Sequence, residues 1–231
     1  MMSSIREPFS MAIYNLIFVG IFLAAAFLPT NALAQNDHSW YVSNNGSDNN
    51  NGWTPQTPRR TLGGIVDSLG PGDILYIMGG HWHEYNPNSH QYWNRASLNV
   101  EDMHGTASNP IVIRNYPGTF PVIYGDGTAA DGVRRIRAVM MYRSSHIVID
   151  SLRMTQSLHM GIGMVDCDTI TIQNCQIDSN YIENGGDNGG GIHINGGLDE
   201  SDACYGLNIY NNLIFHNHLD ISGTGQTNAD G

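Results

Sequence analysis

The chain alternates apolar and polar residues in several short runs between residues 74 and 217. A two-residue period of this kind predicts strands that bury one face. The later runs stop at small polar residues that suit turns, namely Ser151, Asn174 and Asn211. The leading apolar residues of five successive runs are Leu75, Ile111, Ile147, Ile170 and Leu207.

The five leading residues are separated by 36, 36, 23 and 37 positions. A spacing of 23 fits one bare coil of a parallel β-helix, and the longer spacings fit the same coil with about 13 residues looped out. Further apolar runs at 161–164 and 191–194 give about three strands per coil. We therefore expect an all-β parallel β-helix. The alternative is a β-sandwich, which would not align the turn asparagines.

A stack of coils predicts which side chains lie above one another. Asn115, Asn174 and Asn211 should form one row, with amides able to hydrogen-bond along the stack. Cys167 and Cys204 are 37 residues apart, so they should lie on adjacent coils about 4.8 Å apart. A disulfide tolerates that distance in a secreted protein, and a stacked pair of buried thiols is the alternative.

Residues 1–34 have the layout of a secretory signal. Arg6 precedes an apolar stretch at 11–28, and Ala32-Leu33-Ala34 is a small-residue cleavage site. We expect cleavage after Ala34 and a secreted protein, extracellular or periplasmic; an uncleaved membrane anchor is the alternative. Since no later run of 18 apolar residues exists, nothing else is expected to span a membrane.

Residues 35–73 should form an N-terminal region ahead of the coils. They contain a short strand at 39–43, a polar loop, and apolar residues at helical spacing between 61 and 69. Thr61 is placed as the N-cap of that helix. The open end of a β-helix must be covered, so we expect this short helix to cap the coils formed by residues 74–231.

The charge balance of the chain is acidic. It has 21 Asp and Glu against 10 Lys and Arg, and every basic residue is Arg. This argues against nucleic acid, where a basic surface supplies most of the affinity. It also repels acidic polysaccharides unless a divalent cation bridges the carboxylates.

Two groups of side chains are candidates for binding. In His81-Trp82-His83, a strand would place both imidazoles on one face, where they could bind a metal. The alternative is a loop leaving the first coil. Arg134, Arg135 and Arg137 could meet uronate carboxylates in bidentate fashion, or they could be solvated charges on an inserted loop.

A family resemblance rests on two N-terminal stretches. Tyr41-Val42-Ser43-Asn44-Asn45-Gly46-Ser47-Asp48 and the run from Gly70-Pro71-Gly72-Asp73 to Gly80 resemble the N-terminal region of secreted right-handed parallel β-helix proteins, including pectate lyases of polysaccharide lyase family 9. The similarity extends through nearly the whole mature chain. It implies a right-handed helix and a Ca²⁺-dependent lyase that cleaves acidic polysaccharide such as pectate by β-elimination.

The same resemblance implies one metal ligand. Asn228-Ala229-Asp230-Gly231 is similar to a motif of that family in which the Asp binds Ca²⁺, so Asp230 would be a Ca²⁺ ligand. Asp is a hard oxygen donor that suits this ion. The alternative is a turn between two strands.

The chain departs from the family beyond this motif. The family's remaining Ca²⁺ carboxylates and its catalytic Lys come later, whereas this sequence stops at residue 231 and contains no Lys. We therefore expect a fragment that is inactive as given, monomeric, and without an assignable catalytic residue. Two alternatives stay open: another carbohydrate enzyme (alginate lyase, epimerase or glycoside hydrolase), and a non-catalytic carbohydrate-binding β-helix or surface adhesin.

Overall fold

A computed structural model describes residues 38–84, 96–126, 137–182, 190–195 and 203–219. The predicted signal at 1–34 and Asp230 lie outside these ranges. Within them the elements, in chain order, are β1 Ser39–Val42, α1 Gly63–Val66, β2 Ile74–Ile77, β3 His81–Trp82, β4 Ala96–Glu101, β5 Ile111–Asn115, β6 Val122–Tyr124, β7 Arg137–Tyr142, β8 Ser145–Asp150, β9 Arg153–Thr155, β10 Met160–Val165, β11 Asp168–Gln173, β12 Gln176–Asp178, β13 Tyr181–Ile182, β14 Gly190–Asn195, β15 Asn208–Tyr210, β16 Leu213–Phe215 and β17 His218–Leu219.

Three parallel sheets enclose the core. Sheet A contains β1, β2, β5, β8, β11 and β15; sheet B contains β3, β6, β9, β12 and β16; sheet C contains β4, β7, β10 and β14. From β2 onward the chain visits A, B and C in turn, so each complete coil supplies one strand to each sheet. In addition, β13 pairs with β17 between sheets B and C. The predicted parallel β-helix with three strands per coil is confirmed. Among the described helices, none is long and apolar enough to cross a membrane.

The pairing register confirms three of the four predicted spacings. Ile147 pairs with Ile111 and with Ile170, which are 36 and 23 residues away. The 37-residue step is also confirmed, since Ile172 pairs with Ile209. The first spacing was wrong, because Leu75 pairs with Ile113, 38 residues away. A slip of two residues leaves every side chain on its face, so the core assignment survived the error.

The region before the coils differs in detail from the prediction. Strand β1 pairs in parallel with β2, so sheet A begins at Ser39 rather than at Ile74. Helix α1 has only four residues, and its N-cap is Leu62 with no side-chain cap. Thr61 was therefore wrongly placed as the cap. Its backbone N–H and its hydroxyl both donate to Asp48 Oδ1, at 2.9 and 3.0 Å, which holds the side chain against the preceding loop.

Inward rows of aliphatic residues form the core. Ile113, Ile149 and Ile172 lie in one row of sheet A and are completely buried. Burying each such side chain contributes about 1.5–3 kcal/mol. The next member of the row, Ile209, is 40% exposed.

The corners of the coils repeat one backbone conformation. After sheet A, Ser151, Asn174 and Asn211 have φ of 59°, 55° and 55°. After sheet B, the corresponding residues are Gln156, Ser179 and His216, with φ of 53°, 56° and 53°. This left-handed region is uncommon for residues other than glycine, and Asn tolerates it best. The small polar residues that ended the sequence runs mark these corners.

The register continues the predicted asparagine row with Ser151 between Asn115 and Asn174, and the hydrogen bonds differ from those predicted. Asn174 donates to Asp150 Oδ1 at 2.8 Å, and Asn115 donates to the Thr119 carbonyl at 2.7 Å. A charged carboxylate is a stronger acceptor than a neighbouring amide, which explains the choice of Asn174. The amide-to-amide bond occurs one corner later, where Asn180 Nδ2 donates to Asn217 Oδ1 at 2.9 Å.

Candidate functional site on the outer face of sheet C

The outer face of sheet C concentrates polar chemistry. In β4, β7 and β10, Leu98, Val139 and Ile162 point into the core. The residues that follow them, together with His193 of β14, form one outward row across the sheet. That row is Asn99, Met140, Gly163 and His193.

Arg137 begins β7 and lies on this outward face. It is only 8% exposed. The alternative of a solvated loop charge is therefore wrong for this residue, whereas Arg134 and Arg135 lie outside the described ranges. Burial lowers the pKa of Arg137 to about 10, which still leaves the guanidinium charged at neutral pH.

Gly163 makes room for the side chains around Arg137. A Cβ at Gly163 would lie 3.2 Å from Arg137 Cδ and 2.9 Å from Met140 Sδ. It would also lie 2.8 Å from Met160 Sδ. The stem of Arg137 and two methionines therefore pack over a position that has no side chain.

The positive charge of Arg137 acts electrostatically on two histidines. His159 immediately precedes β10, and His193 lies within β14. Burial, with the charges of Arg137 and His193, lowers the pKa of His159 to about 4. Burial and then the Arg137 charge lower the pKa of His193. Both imidazoles are consequently neutral at pH 7, and each can accept a proton or a hydrogen bond.

Several polar atoms on this face lack hydrogen-bond partners. Within the described residues, both amide atoms of Asn99 and Nδ1 of His159 are buried without one. Asn99 as a whole is 3% exposed. A buried unsatisfied polar atom costs about 1–3 kcal/mol, so these atoms lower the stability of the folded chain.

The chemistry of the face suits a carboxylate ligand. A guanidinium binds a carboxylate through two parallel hydrogen bonds. The bound anion would offset the positive charge that lowers the pKa of His159 and His193, so both would become stronger bases when the ligand arrives.

The two histidines of the His-x-His motif do lie on one face. Trp82 between them is fully buried. His81 Nδ1 is 2.7 Å from the Tyr124 hydroxyl, and His83 Nδ1 is 2.8 Å from Asp126 Oδ1. Across the described ranges, no group of three or more His, Cys, Asp or Glu side chains could hold a metal. The two histidines therefore have hydrogen-bond partners but no third metal ligand among the described residues. The predicted Ca²⁺ ligand Asp230 lies outside the described ranges.

Two other arginines are unsuited to act as a base. Arg153 forms two hydrogen bonds of 2.8 Å with Asp178, and Arg143 forms one of 2.8 Å with Asp102. The hydrogen bond with Asp178 raises the pKa of Arg153, and that with Asp102 raises the pKa of Arg143. Both guanidiniums therefore stay protonated at neutral pH.

The cysteine pair stacks as predicted. The Cys167 N–H donates to Cys204 Sγ at 3.4 Å, and all three cysteines are thiols rather than disulfides. The hydrogen bond between the two thiols raises the pKa of Cys167 and lowers that of Cys204 to about 7.

Sequence reasoning missed His159, His193 and Asn99. Alternation within 191–194 was a usable signal, since it places His193 opposite the inward Ile192. No comparable signal existed for His159, which precedes its strand and owes its burial to tertiary packing.

The fold and its register define a parallel β-helix protein, and the comparisons identify the family. The family described as "Pel9A-like, right handed beta helix region" matches residues 40–231. The chain therefore belongs to the Pel9A-like right-handed β-helix family, and the resemblance to the pectate lyase group is confirmed.

Individual relatives are more distant. The Bacillus subtilis (strain 168) protein YwoF, described as uncharacterized, is 32% identical over 114 residues, which are 49% of this chain and 21% of that protein. The GH136 lacto-N-biosidase from Eubacterium ramulus has a TM-score of 0.54 at 21% identity, over 79% of this chain and 34% of the enzyme. That structural likeness concerns the fold alone. The chain spans about a fifth and a third of the length of these two proteins.

Proposed function

We propose that this chain is part of a secreted lyase that cleaves an acidic, uronate-containing polysaccharide by β-elimination. Membership of the Pel9A-like family supports a polysaccharide substrate. The observation that carries the proposal is the outer face of sheet C, where a buried Arg137 shares its field with two neutral histidines. That combination supplies a carboxylate-binding cation and a proton acceptor on one surface.

Each residue has a defined role in this proposal. Arg137 binds the uronate carboxylate and stabilises the negative charge that develops on it when the C5 proton leaves. His193 accepts that proton, and the electron pair of the C5–H bond forms the C4–C5 double bond as the C4–O bond breaks. The departing sugar oxygen takes a proton from water, which leaves an unsaturated sugar end on the other fragment. We assign His193 rather than His159 as the base because a pKa of about 4 makes His159 a weak proton acceptor.

We also propose Asp230 as a Ca²⁺ ligand, on the family motif alone. When bound, Ca²⁺ would polarise the uronate carboxylate and make the C5 proton more acidic. The roles proposed for Arg137 and His193 do not depend on the ion.

The test is a lyase assay on the purified secreted protein with polygalacturonate, alginate and rhamnogalacturonan. We expect ultraviolet absorbance from an unsaturated uronate product with at least one of them. Arg137→Lys should lower kcat/KM about 10- to 100-fold, and His193→Gln about 100-fold. Arg60→Lys is the control, since Arg60 is exposed on a loop, and it should leave the rate unchanged.

Two further measurements sharpen the result. Calcium should raise the rate and a chelator should lower it, and Asp230→Asn should weaken the calcium dependence.

NMR titration should show the pKa of His193 rising when a trigalacturonate is bound. A folded protein that binds the polymers through Arg137 but forms no unsaturated product would overturn the lyase and leave a binding protein.

A further inference from the structure

A cavity of about 590 Å³ lies at the corner between sheets B and C. Its described lining residues come from successive coils at the same corner. They are Asp126, Gln156, Ser179, Tyr181 and His216. Its volume falls within the range of about 300–1,000 Å³ that is usual for small-molecule sites.

The repeated corner conformation aligns three of the lining residues. Gln156, Ser179 and His216 all have φ between 53° and 56° and belong to neighbouring coils. Their positions are therefore spaced by about 4.8 Å along the helix axis. Polar groups repeating at that interval suit a ligand that is itself an extended chain with regularly spaced hydroxyl groups.

Asp126 is held in place by a neighbouring pair of rings. Its Oδ1 lies 2.8 Å from His83 Nδ1. The His83 ring stacks on Tyr124, with centroids 4.0 Å apart and an angle of 15° between the rings. An oriented carboxylate is a strong acceptor for sugar hydroxyls, and it repels a carboxylate ligand.

The remaining lining groups also suit a sugar. Tyr181 is 39% exposed and offers an aromatic surface against which a sugar ring can pack. Gln156 and Ser179 both donate and accept hydrogen bonds. The described lining contains no Lys or Arg. Within the described lining Asp126 supplies a carboxylate, whereas Arg137 is the cation on the outer face of sheet C.

We propose that this corner cavity, defined by the five lining residues above, is a binding site for a neutral oligosaccharide. It would hold uncharged sugar units by hydrogen bonds to Asp126, Gln156 and Ser179, with Tyr181 against a ring face. This goes beyond the proposed lyase function, since it requires neither a uronate nor turnover.

Isothermal titration with cellohexaose, mannohexaose and a galactan hexamer, beside hexagalacturonate, tests the proposal. We expect at least one neutral hexamer to bind. Tyr181→Ala and Asp126→Ala should each raise its Kd about tenfold. Tyr205→Ala is the matched control, because Tyr205 is 60% exposed and lies outside the cavity, so its Kd should equal that of the unchanged protein.

The variants also separate this site from the lyase site. Arg137→Lys should leave the Kd for the neutral hexamer unchanged. That Kd can be measured whether or not the protein has lyase activity. Either of two outcomes would overturn the proposal: no neutral hexamer binds the folded protein, or one binds with a Kd that the Tyr181 and Asp126 variants do not alter. Circular dichroism of each variant confirms that it is folded.

Discussion

At the scale of single residues, charged groups on the outward faces have different surroundings. Arg114 lies 3.2 Å from Asp150 on sheet A, and Arg153 lies 2.8 Å from Asp178 on sheet B. These carboxylates offset the arginine charges in place. On sheet C, burial and the charge of Arg137 lower the pKa of His159 and His193, so that charge acts on groups that can exchange protons.

The inward residues are the most predictable ones. Ile172→Asn places an amide at a completely buried position of the sheet A row. We expect it to lower the free energy of unfolding by about 3 kcal/mol, because a methyl-rich side chain is lost and an amide is buried. Urea unfolding monitored by circular dichroism measures the loss. Thr171→Asn on the outward side is the control; equal losses in both variants would contradict the strand's orientation.

How much the sequence predicts at this scale depends on whether the cause is local. Ile172 follows from alternation alone, which is a property of the strand itself. A solvated loop stayed open as the alternative for Arg137, because the burial of this residue depends on packing over Gly163, which involves two neighbouring strands, β7 and β10. His159 was missed for the same kind of reason.

At the scale of elements, a buried asparagine connects neighbouring coils at the corner between sheets B and C. Asn180 is fully buried. Its Oδ1 accepts from the Ser157 N–H at 3.0 Å, while its Nδ2 donates to Asn217 Oδ1 at 2.9 Å and to the Met154 carbonyl at 3.3 Å. The bonds join three coils at one corner. The first strand spacing was wrong at this scale. The hydrogen-bonded asparagine ladder was not predicted either, because turn residues alone do not show which asparagines hydrogen-bond to each other.

Gly161 leaves the space that this ladder needs. A Cβ at Gly161 would lie 2.7 Å from Asn180 Nδ2 and 2.7 Å from the Gly191 carbonyl oxygen. We expect Gly161→Ala to lower the free energy of unfolding by about 2 kcal/mol, through overpacking and disturbed hydrogen bonds. Thermal unfolding is the measurement. Gly79→Ala is the control, since its Cβ would meet Thr119 at an ordinary 3.4 Å; a neutral Gly161→Ala would contradict the close packing.

At the scale of the whole molecule, net charge opposes the proposed substrate. The chain has a formal charge of −11 at pH 7. A polyuronate is also strongly negative, so long-range repulsion slows their encounter. The buried Arg137 acts only after contact, and burial protects it from screening by salt.

This opposition predicts an unusual salt dependence. Raising the ionic strength from about 0.01 M to about 0.15 M shortens the Debye length from about 30 Å to about 8 Å. We expect the apparent affinity for polygalacturonate to rise several-fold over that interval, because the repulsion is screened. Binding of a neutral hexamer should not change. Fluorescence anisotropy with labelled oligomers measures both; an affinity for polygalacturonate that falls steadily with salt would contradict the prediction.

The coil from Ile147 to Thr169 has a consequence for the history of such proteins. It completes one turn in 23 residues, and its Ser151 corner is in the same left-handed conformation as the Asn174 corner that follows. A tandem duplication of that segment would insert one layer without disturbing existing pairings, and a deletion would remove one. The surface can thus grow in steps of about 4.8 Å. A lineage with this architecture can match a longer polymer by copying a short stretch of its gene.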